Sequence, residues 1–92
     1  MLLIWLPYAQ KQRRKAIEYI AQDNPAAALE QLDEIEKQTD TLLQHPEIGR
    51  SGRRKGTREL AISRTHFVVV YRIKAKRIEV WRFLHTSQAW PV

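Results

Sequence analysis

The spacing of hydrophobic residues in the first half of the chain predicts one strand and two helices. A continuous apolar run from Leu2 to Leu6, stopped by Pro7, is typical of a strand covered on both faces. Apolar residues then recur at helical spacing, which predicts a helix over residues 8–22. Asn24-Pro25 matches a helix N-cap followed by proline at the first helical position, and a second apolar stripe runs to His45-Pro46, where proline ends the helix. Two helices with so short a link form an antiparallel hairpin.

The second half of the chain follows a strand pattern. After a loop over residues 47–56, we expect strands at 57–63, 66–74 and 77–85, with Lys74-Ala75-Lys76 as the link of a hairpin. The middle strand is rich in β-branched and aromatic residues, so we place it at the centre of the sheet. The sequence therefore predicts an α+β domain spanning residues 1–92, in the order β-α-α-β-β-β. Its helical hairpin packs on one face of a small, mostly antiparallel sheet.

The two halves carry opposite charge. Residues 50–92 contain 11 lysines and arginines against two acids, Glu59 and Glu79, and have a formal charge of +9, whereas residues 1–49 have a charge of −3. A strongly positive sheet surface attracts negatively charged partners. The charge division therefore points to nucleic acid or an acidic protein segment as the partner, bound on the sheet face that the helices leave open.

Other features narrow the class of protein. The chain has no cysteine, which removes disulfides, thiolate metal sites and a cysteine nucleophile and agrees with a cytoplasmic location. The apolar run before Pro7 is too short for a signal peptide or a membrane span. The three histidines lack the spacing of metal ligands, and no phosphate-binding glycine loop is present. We therefore expect neither a metal nor a cofactor.

Three arginines stand on successive predicted strands: Arg58, Arg72 and Arg82. An isolated strand arginine usually keeps an exposed face soluble, but guanidinium groups on neighbouring strands suit bidentate binding of phosphate or carboxylate. The two-residue period places Arg72 with Val68 and Val70, and Arg82 with Ile78 and Val80. Which of these faces points outward stays open at the level of sequence.

Two aromatic side chains near the end of the chain are further candidates. His85 ends the last strand and is either a hydrogen-bonded strand-end residue or an acid or base. Trp90-Pro91 is expected to fold back and pack.

The order of elements and several short segments resemble the RelE/ParE superfamily of bacterial type II toxin–antitoxin toxins. The resemblance covers nearly the whole chain and rests on a second helix closing in HPEIGR, followed by GTREL, VVVYRI, IEVWRFLH and an AWP tail. It implies a small basic toxin that is neutralised by an acidic, partly disordered antitoxin in a hetero-oligomeric complex.

The superfamily divides by target, and the resemblance leaves two alternatives. A ParE-like toxin inhibits DNA gyrase by binding, and its contacts with gyrase or antitoxin fall to the basic residues and the tail: Arg53, Arg54, Lys55, Arg72 and Trp90. A RelE-like toxin cuts mRNA on the ribosome, with Arg58, Arg82 and His85 as its catalytic candidates. In the nuclease branch an arginine begins the central-strand motif, and Phe67 stands at that position here. Because an aromatic ring cannot neutralise a transition-state phosphate, we favour gyrase binding.

Overall fold

The computed structural model describes residues 1–88 and Trp90. The part of the sequence-based expectation that concerns Pro91 lies outside these residues. Two helices pack on one face of a small sheet, as predicted from the sequence, but in the described residues this sheet has five strands rather than the predicted four. The elements, in chain order, are β1 (Leu2–Trp5), α1 (Pro7–Asp23), α2 (Pro25–Asp40), a 3-10 turn (Thr41–Leu43), β2 (Arg50–Ser51), β3 (Arg58–Ala61), β4 (Phe67–Lys74) and β5 (Arg77–His85).

The helical hairpin forms where the sequence predicts it. The Asn24 side chain accepts a hydrogen bond from the Ala27 backbone N–H at 3.1 Å, so that it caps α2 immediately before Pro25. The second helix is shorter than predicted, because it changes to a 3-10 turn at Thr41 before His45-Pro46. That turn keeps Leu42 fully buried, which explains why the apolar stripe continues past the end of the α-helix. None of the helices in the described residues is long and apolar enough to cross a membrane.

The strand order in the sheet is β1-β5-β4-β3-β2. The first strand runs parallel to β5, and the other neighbouring pairs are antiparallel. The predicted central position of β4 is therefore confirmed. The expectation that the first strand is covered on both faces is wrong, because β1 lies at the sheet edge and Leu2 is 67% exposed. The predicted 47–56 loop also contains β2, a strand too short to show a period-two pattern.

The core lies between the helices and one face of the sheet. Val69 and Tyr71 of β4 and Ile78 and Val80 of β5 are completely buried on this face, and Ile35 of α2 covers them. Beyond the end of β1, the open edge of β5 is covered by α1, where the Gln12 side chain accepts a hydrogen bond from the Phe83 N–H at 2.9 Å. We call this side of the sheet the helix side.

Candidate functional site

The opposite side of the sheet carries a layer of arginines. On the antiparallel strands, cross-strand partners share a face. The pairs Glu59–Val70 and Arg72–Glu79 therefore point away from the helices, since Val70 and Arg72 alternate with the core residue Tyr71. Six arginines lie on or beside this surface, which we call the arginine face: Arg50, Arg53, Arg54, Arg72, Arg77 and Arg82.

A β-bulge determines where Arg82 points. Val70 pairs with Arg82, whereas the next residue, Tyr71, pairs with Val80, so Trp81 is an extra residue in β5. The bulge breaks the two-residue period and moves Arg82 away from Val80 to the arginine face. The period-two expectation that Arg82 shares a face with Ile78 and Val80 is therefore wrong, because that rule assumes an uninterrupted strand.

The first of two buried glutamates anchors one end of the arginine face. The Glu59 side chain is only 1% exposed, and it forms ion pairs with Arg50 at 3.0 Å and Arg53 at 3.2 Å. The backbone N–H of Arg53 also donates to Glu59 at 2.9 Å. Burial tends to raise the pKa of the Glu59 carboxyl, but the hydrogen bonds from Arg53 and Arg50 outweigh burial and lower this pKa to about 2. The carboxylate therefore stays ionised at neutral pH.

Glu79 holds the other end of the arginine face in the same way. It contacts Arg72 at 2.7 Å and Arg77 at 2.7 Å. The hydrogen bond from Arg72 lowers the pKa of Glu79 below its ordinary value. The guanidinium group of Arg72 also lies 4.5 Å from the centre of the Trp81 ring, a cation–π contact that holds it in place. The six arginines and two glutamates together leave a formal charge of +4 on this face.

The basic loop between β2 and β3 lies beside the same surface. The Gly52 N–H donates to the Thr57 carbonyl at 2.7 Å and closes the loop. Within it, Arg54 approaches the Trp81 ring at 5.8 Å, and Lys55 is exposed. The structure therefore places Arg54 and Arg72 beside the Trp81 ring, with Arg53 held nearby by Glu59, on the same side of the sheet.

Trp90 packs on the centre of the arginine face, as the sequence predicts. It is only 7% exposed and forms a small cluster with Val70 and Leu84. Arg82 lies between two aromatic rings, 4.7 Å from the centre of Tyr8 and 5.7 Å from that of Trp90. Within the described part of the chain, the indole N–H groups of Trp81 and Trp90 are buried without a hydrogen-bond partner. The Trp90 ring thus serves mainly to cover the apolar centre of this face.

Arg58 lies on the helix side, away from the other candidates. It pairs with Tyr71, and its guanidinium group donates to the backbone carbonyls of Glu47 at 3.2 Å and Gly49 at 2.9 Å. The Tyr71 hydroxyl completes this arrangement, since it donates to the Pro46 carbonyl at 2.6 Å and accepts from the Gly49 N–H at 3.0 Å. A Cβ at Gly49 would lie 2.6 Å from that hydroxyl, so the close approach requires glycine. Arg58 therefore serves to hold the HPEIGR segment.

His85 is also on the helix side, at the far end of the sheet from Arg58. It pairs with Phe67, four residues along β4 from the partner of Arg58, and lies two strands away from Arg58. The two backbones are therefore separated by roughly 16 Å, while Arg82 is on the opposite face. The His85 ring is 5.7 Å from that of His66, and its Nδ1 is 2.8 Å from the Ser87 hydroxyl. The structure does not bring Arg58, Arg82 and His85 together.

A groove of about 460 Å³ lies on the helix side next to His85. Ala16 and Ile20 of α1 line one side of it, and Phe67 and Phe83 of the sheet line the other. Its polar lining is basic or uncharged: Gln12, Lys15, Gln31, His66, His85 and Gln88. The groove can therefore accept an apolar side chain of a partner segment in which the adjacent residues are negatively charged.

The sequence did not single out Arg50, Arg77, Glu59 or Glu79 as parts of one site. The available signal was that Glu59 and Glu79 are the only acids of the basic half, because buried carboxylates need cationic partners. In residues 1–88 and Trp90, no three histidine, aspartate or glutamate side chains come together in a way that could hold a metal ion.

The sequence and the fold of the chain both match those of known proteins. Residues 3–90 match the family described as "ParE toxin of type II toxin-antitoxin system, parDE". A curated protein of Sinorhizobium fredii (strain NBRC 101917 / NGR234), named "Putative toxin Y4kP", is 37% identical over 73 residues, which cover 79% of this chain and 75% of that protein. A solved structure described as "Chromosomal ParDE TA system from P. aeruginosa" is similar, with a TM-score of 0.83 and 25% identity, covering 92% of this chain and 95% of the other.

Proposed function

The chain belongs to the ParE toxin family of type II toxin–antitoxin systems, and from that premise we propose that it inhibits growth by binding DNA gyrase in the cytoplasm. In this proposal an acidic antitoxin neutralises it in a hetero-oligomeric complex. The protein acts by occupying its target rather than by cutting nucleic acid.

One observation above all supports binding over cleavage: the three nuclease candidates are apart. Cleavage of RNA needs an acid or base and a cation at the same phosphate. Here Arg82 is on the face opposite His85, and Arg58 is engaged with the backbone carbonyls of Glu47 and Gly49. Phe67, at the position where the nuclease branch has an arginine, is 7% exposed and packs on Phe83 with ring centres 4.7 Å apart.

The decisive experiment compares the two targets directly. Purified toxin is incubated with gyrase and supercoiled plasmid and, in parallel, with translating ribosomes and mRNA. We expect gyrase-linked cleaved DNA to accumulate and the mRNA to stay intact. Codon-positioned cuts in the mRNA with unaffected gyrase would establish the RelE-like alternative instead.

Substitution of the histidine tests the mechanism within the chain. Loss of a general acid or base costs about 100- to 10,000-fold in rate, so a nuclease would lose its activity in His85→Ala. We expect His85→Ala to change growth inhibition only modestly. His45→Ala, an exposed histidine before Pro46, is the matched control. A folded His85→Ala protein that has lost all toxicity, beside a fully toxic His45→Ala, would contradict binding without cleavage.

The antitoxin proposal is supported by the groove and by the charge division. The groove offers an apolar floor with a basic rim, and residues 50–92 are strongly positive. An acidic, partly apolar segment laid across the helices and the sheet would meet both. Opposite charges speed association and make it sensitive to salt, while buried apolar anchors supply much of the affinity.

Co-expression with the neighbouring small reading frame tests the antitoxin proposal. We expect a stable complex on purification and restored growth. A toxin that elutes alone and remains toxic when that neighbour is expressed would contradict this proposal. It would leave the gyrase proposal standing, since the two are measured separately.

A further inference from the structure

The arginine face differs from the groove in what it offers a partner. Its central apolar side chains are already covered, since Val70 is fully buried and Leu84 and Trp90 are 5% and 7% exposed. Tight protein–protein interfaces depend on apolar or aromatic anchors that fill pockets. Among residues 1–88 and Trp90, the centre of the arginine face has no uncovered apolar floor for such an anchor. What a partner meets there is an array of guanidinium groups.

The glutamates fix the positions of those guanidinium groups but do not engage all of their N–H donors. The Arg50, Arg53, Arg72 and Arg77 side chains remain 70%, 47%, 33% and 46% exposed although each contacts a buried glutamate. A guanidinium has five N–H donors, and one contact to a carboxylate engages only one or two of them. The glutamates thus orient the forks and leave outward donors for a second anion.

The size and charge of the face match a rod of regularly spaced anions. The arginines extend across the sheet from β2 to β5, a width of four strands, and at about 4.8 Å per strand the face is about 14 Å across. Duplex DNA carries one negative charge per about 1.7 Å of its axis, or about eight over that distance. Binding of this kind needs no apolar anchor, because the release of counterions drives it, and arginine is well suited to contact phosphate oxygens.

We propose that the arginine face is a sequence-independent binding surface for the phosphate backbone of duplex DNA. This surface is separate from the groove and goes beyond the proposed inhibition of gyrase. Arg50, Arg53, Arg72 and Arg77 contact phosphates from their glutamate-held positions, and Arg54 and Arg82 do so from beside Trp81 and Trp90. Because gyrase acts on DNA, such a surface would also let the toxin contact the DNA that gyrase holds. That extension rests on the proposed function, whereas DNA binding itself does not.

The test measures binding of the purified full chain to a short fluorescein-labelled DNA duplex by anisotropy, without gyrase. Because the two glutamates offset part of the charge of the six arginines, the face has a charge of +4 and neutralises about three to four phosphates. That number gives a slope of log affinity against log salt of about −3 between about 50 and 200 mM salt. We expect the same affinity for two unrelated duplex sequences. A slope near zero, or a strong preference for one sequence, would overturn the proposal.

Single-charge variants locate the surface. Arg54→Gln removes one exposed charge from the face, and we expect it to make the salt slope shallower by about 0.9. Lys37→Gln removes one charge from the exposed side of α2 and should leave the slope unchanged. Circular dichroism confirms the fold of both proteins. Equal effects of the two substitutions would show that DNA binding follows net charge alone and would refute the assignment to this face.

Competition separates DNA from the other polyanions. Unlabelled duplex DNA should displace the probe, whereas polyglutamate at the same charge concentration should compete at least tenfold less well. Polyglutamate that competes equally would show that the face is a docking surface for acidic peptides. Tighter binding of single-stranded RNA than of duplex DNA would likewise exclude duplex DNA as its preferred ligand. Because the assay contains no gyrase, each of these results leaves the gyrase proposal untouched.

Discussion

Different interactions stabilise the two faces of the sheet. The helix side is held by burial: Val69, Tyr71, Ile78 and Val80 are completely inaccessible beneath the helices. The arginine face has a small apolar cluster at its centre and relies around it on two buried glutamates, each shared by two arginines. The glutamates thereby reduce the repulsion among the six arginines, and the surface as a whole remains positively charged. A small domain can thus present strong positive charge while its stability comes mainly from the other side.

The sharpest test of this difference uses neighbouring residues that point to opposite faces. Phe83 is 3% exposed and contacts Phe67 and Trp5, so we expect Phe83→Ala to lower the free energy of unfolding by about 3–5 kcal/mol. Arg82→Ala, one residue earlier, should cost less than about 1 kcal/mol, since at a partly exposed site it loses cation–π contacts and one hydrogen bond to the carbonyl of the adjacent Trp81. Urea unfolding measures both. Similar losses would mean that the arginine face carries as much of the stability as the core.

The tail gives the next largest effect. Trp90→Ala exposes Val70 and Leu84, and we expect a loss of about 3 kcal/mol, the lower end of the range for buried tryptophan. Trp90→Phe keeps an aromatic cover and removes an indole N–H that has no partner among the described residues, so its cost should stay below about 1.5 kcal/mol. Thermal unfolding compares the two proteins. If Trp90→Ala is as stable as the parent chain, the tail does not serve as the cover of this face.

Removal of the Tyr71 hydroxyl, on the helix side, should have a smaller effect on the free energy of unfolding. Tyr71→Phe leaves the buried Gly49 N–H without its acceptor and frees the Pro46 carbonyl, so we expect a loss of about 1–3 kcal/mol. Tyr19→Phe, on an exposed tyrosine, is the matched control and should change little. Hydrogen exchange at Gly49 reports whether the HPEIGR segment loosens. Unchanged protection there in Tyr71→Phe would show that the hydroxyl does not hold this segment.

The smallest effect is a pH dependence on the arginine face. The pKa of Glu59 is about 2 in the folded protein and 4.5 ordinarily, so its ion pairs stabilise the fold fully above pH 4.5. That contribution falls as the pH drops from 4.5 through about 2. We expect Glu59→Gln to flatten the loss of stability over this acid range, measured by unfolding at several pH values. Glu18→Gln, on the exposed surface of α1, should lose stability with acid as the parent chain does, and identical profiles for all three proteins would contradict the role of Glu59.

The sequence by itself determined both helices, every strand except the two-residue β2, and the packing of the helices on one face of the sheet. Apolar residues at helical spacing, Asn24-Pro25 between two helices and the β-branched run of β4 are local signals, and each forms the element that it predicts. The division of charge also follows from composition alone. These features are readable because hydrophobic periodicity and capping act over a few residues.

Only the tertiary structure decided which candidates share a surface. The bulge at Trp81 moves Arg82 to the arginine face, and no local signal predicts it because the extra residue is defined by the pairing with β4. The pairing of Arg58 with Tyr71 places Arg58 on the helix side, where it holds the Gly49 carbonyl, and the edge position of β1 depends on its parallel pairing with β5. Cross-strand register joins residues far apart in sequence, so the grouping of side chains into sites appears only once the strands are paired.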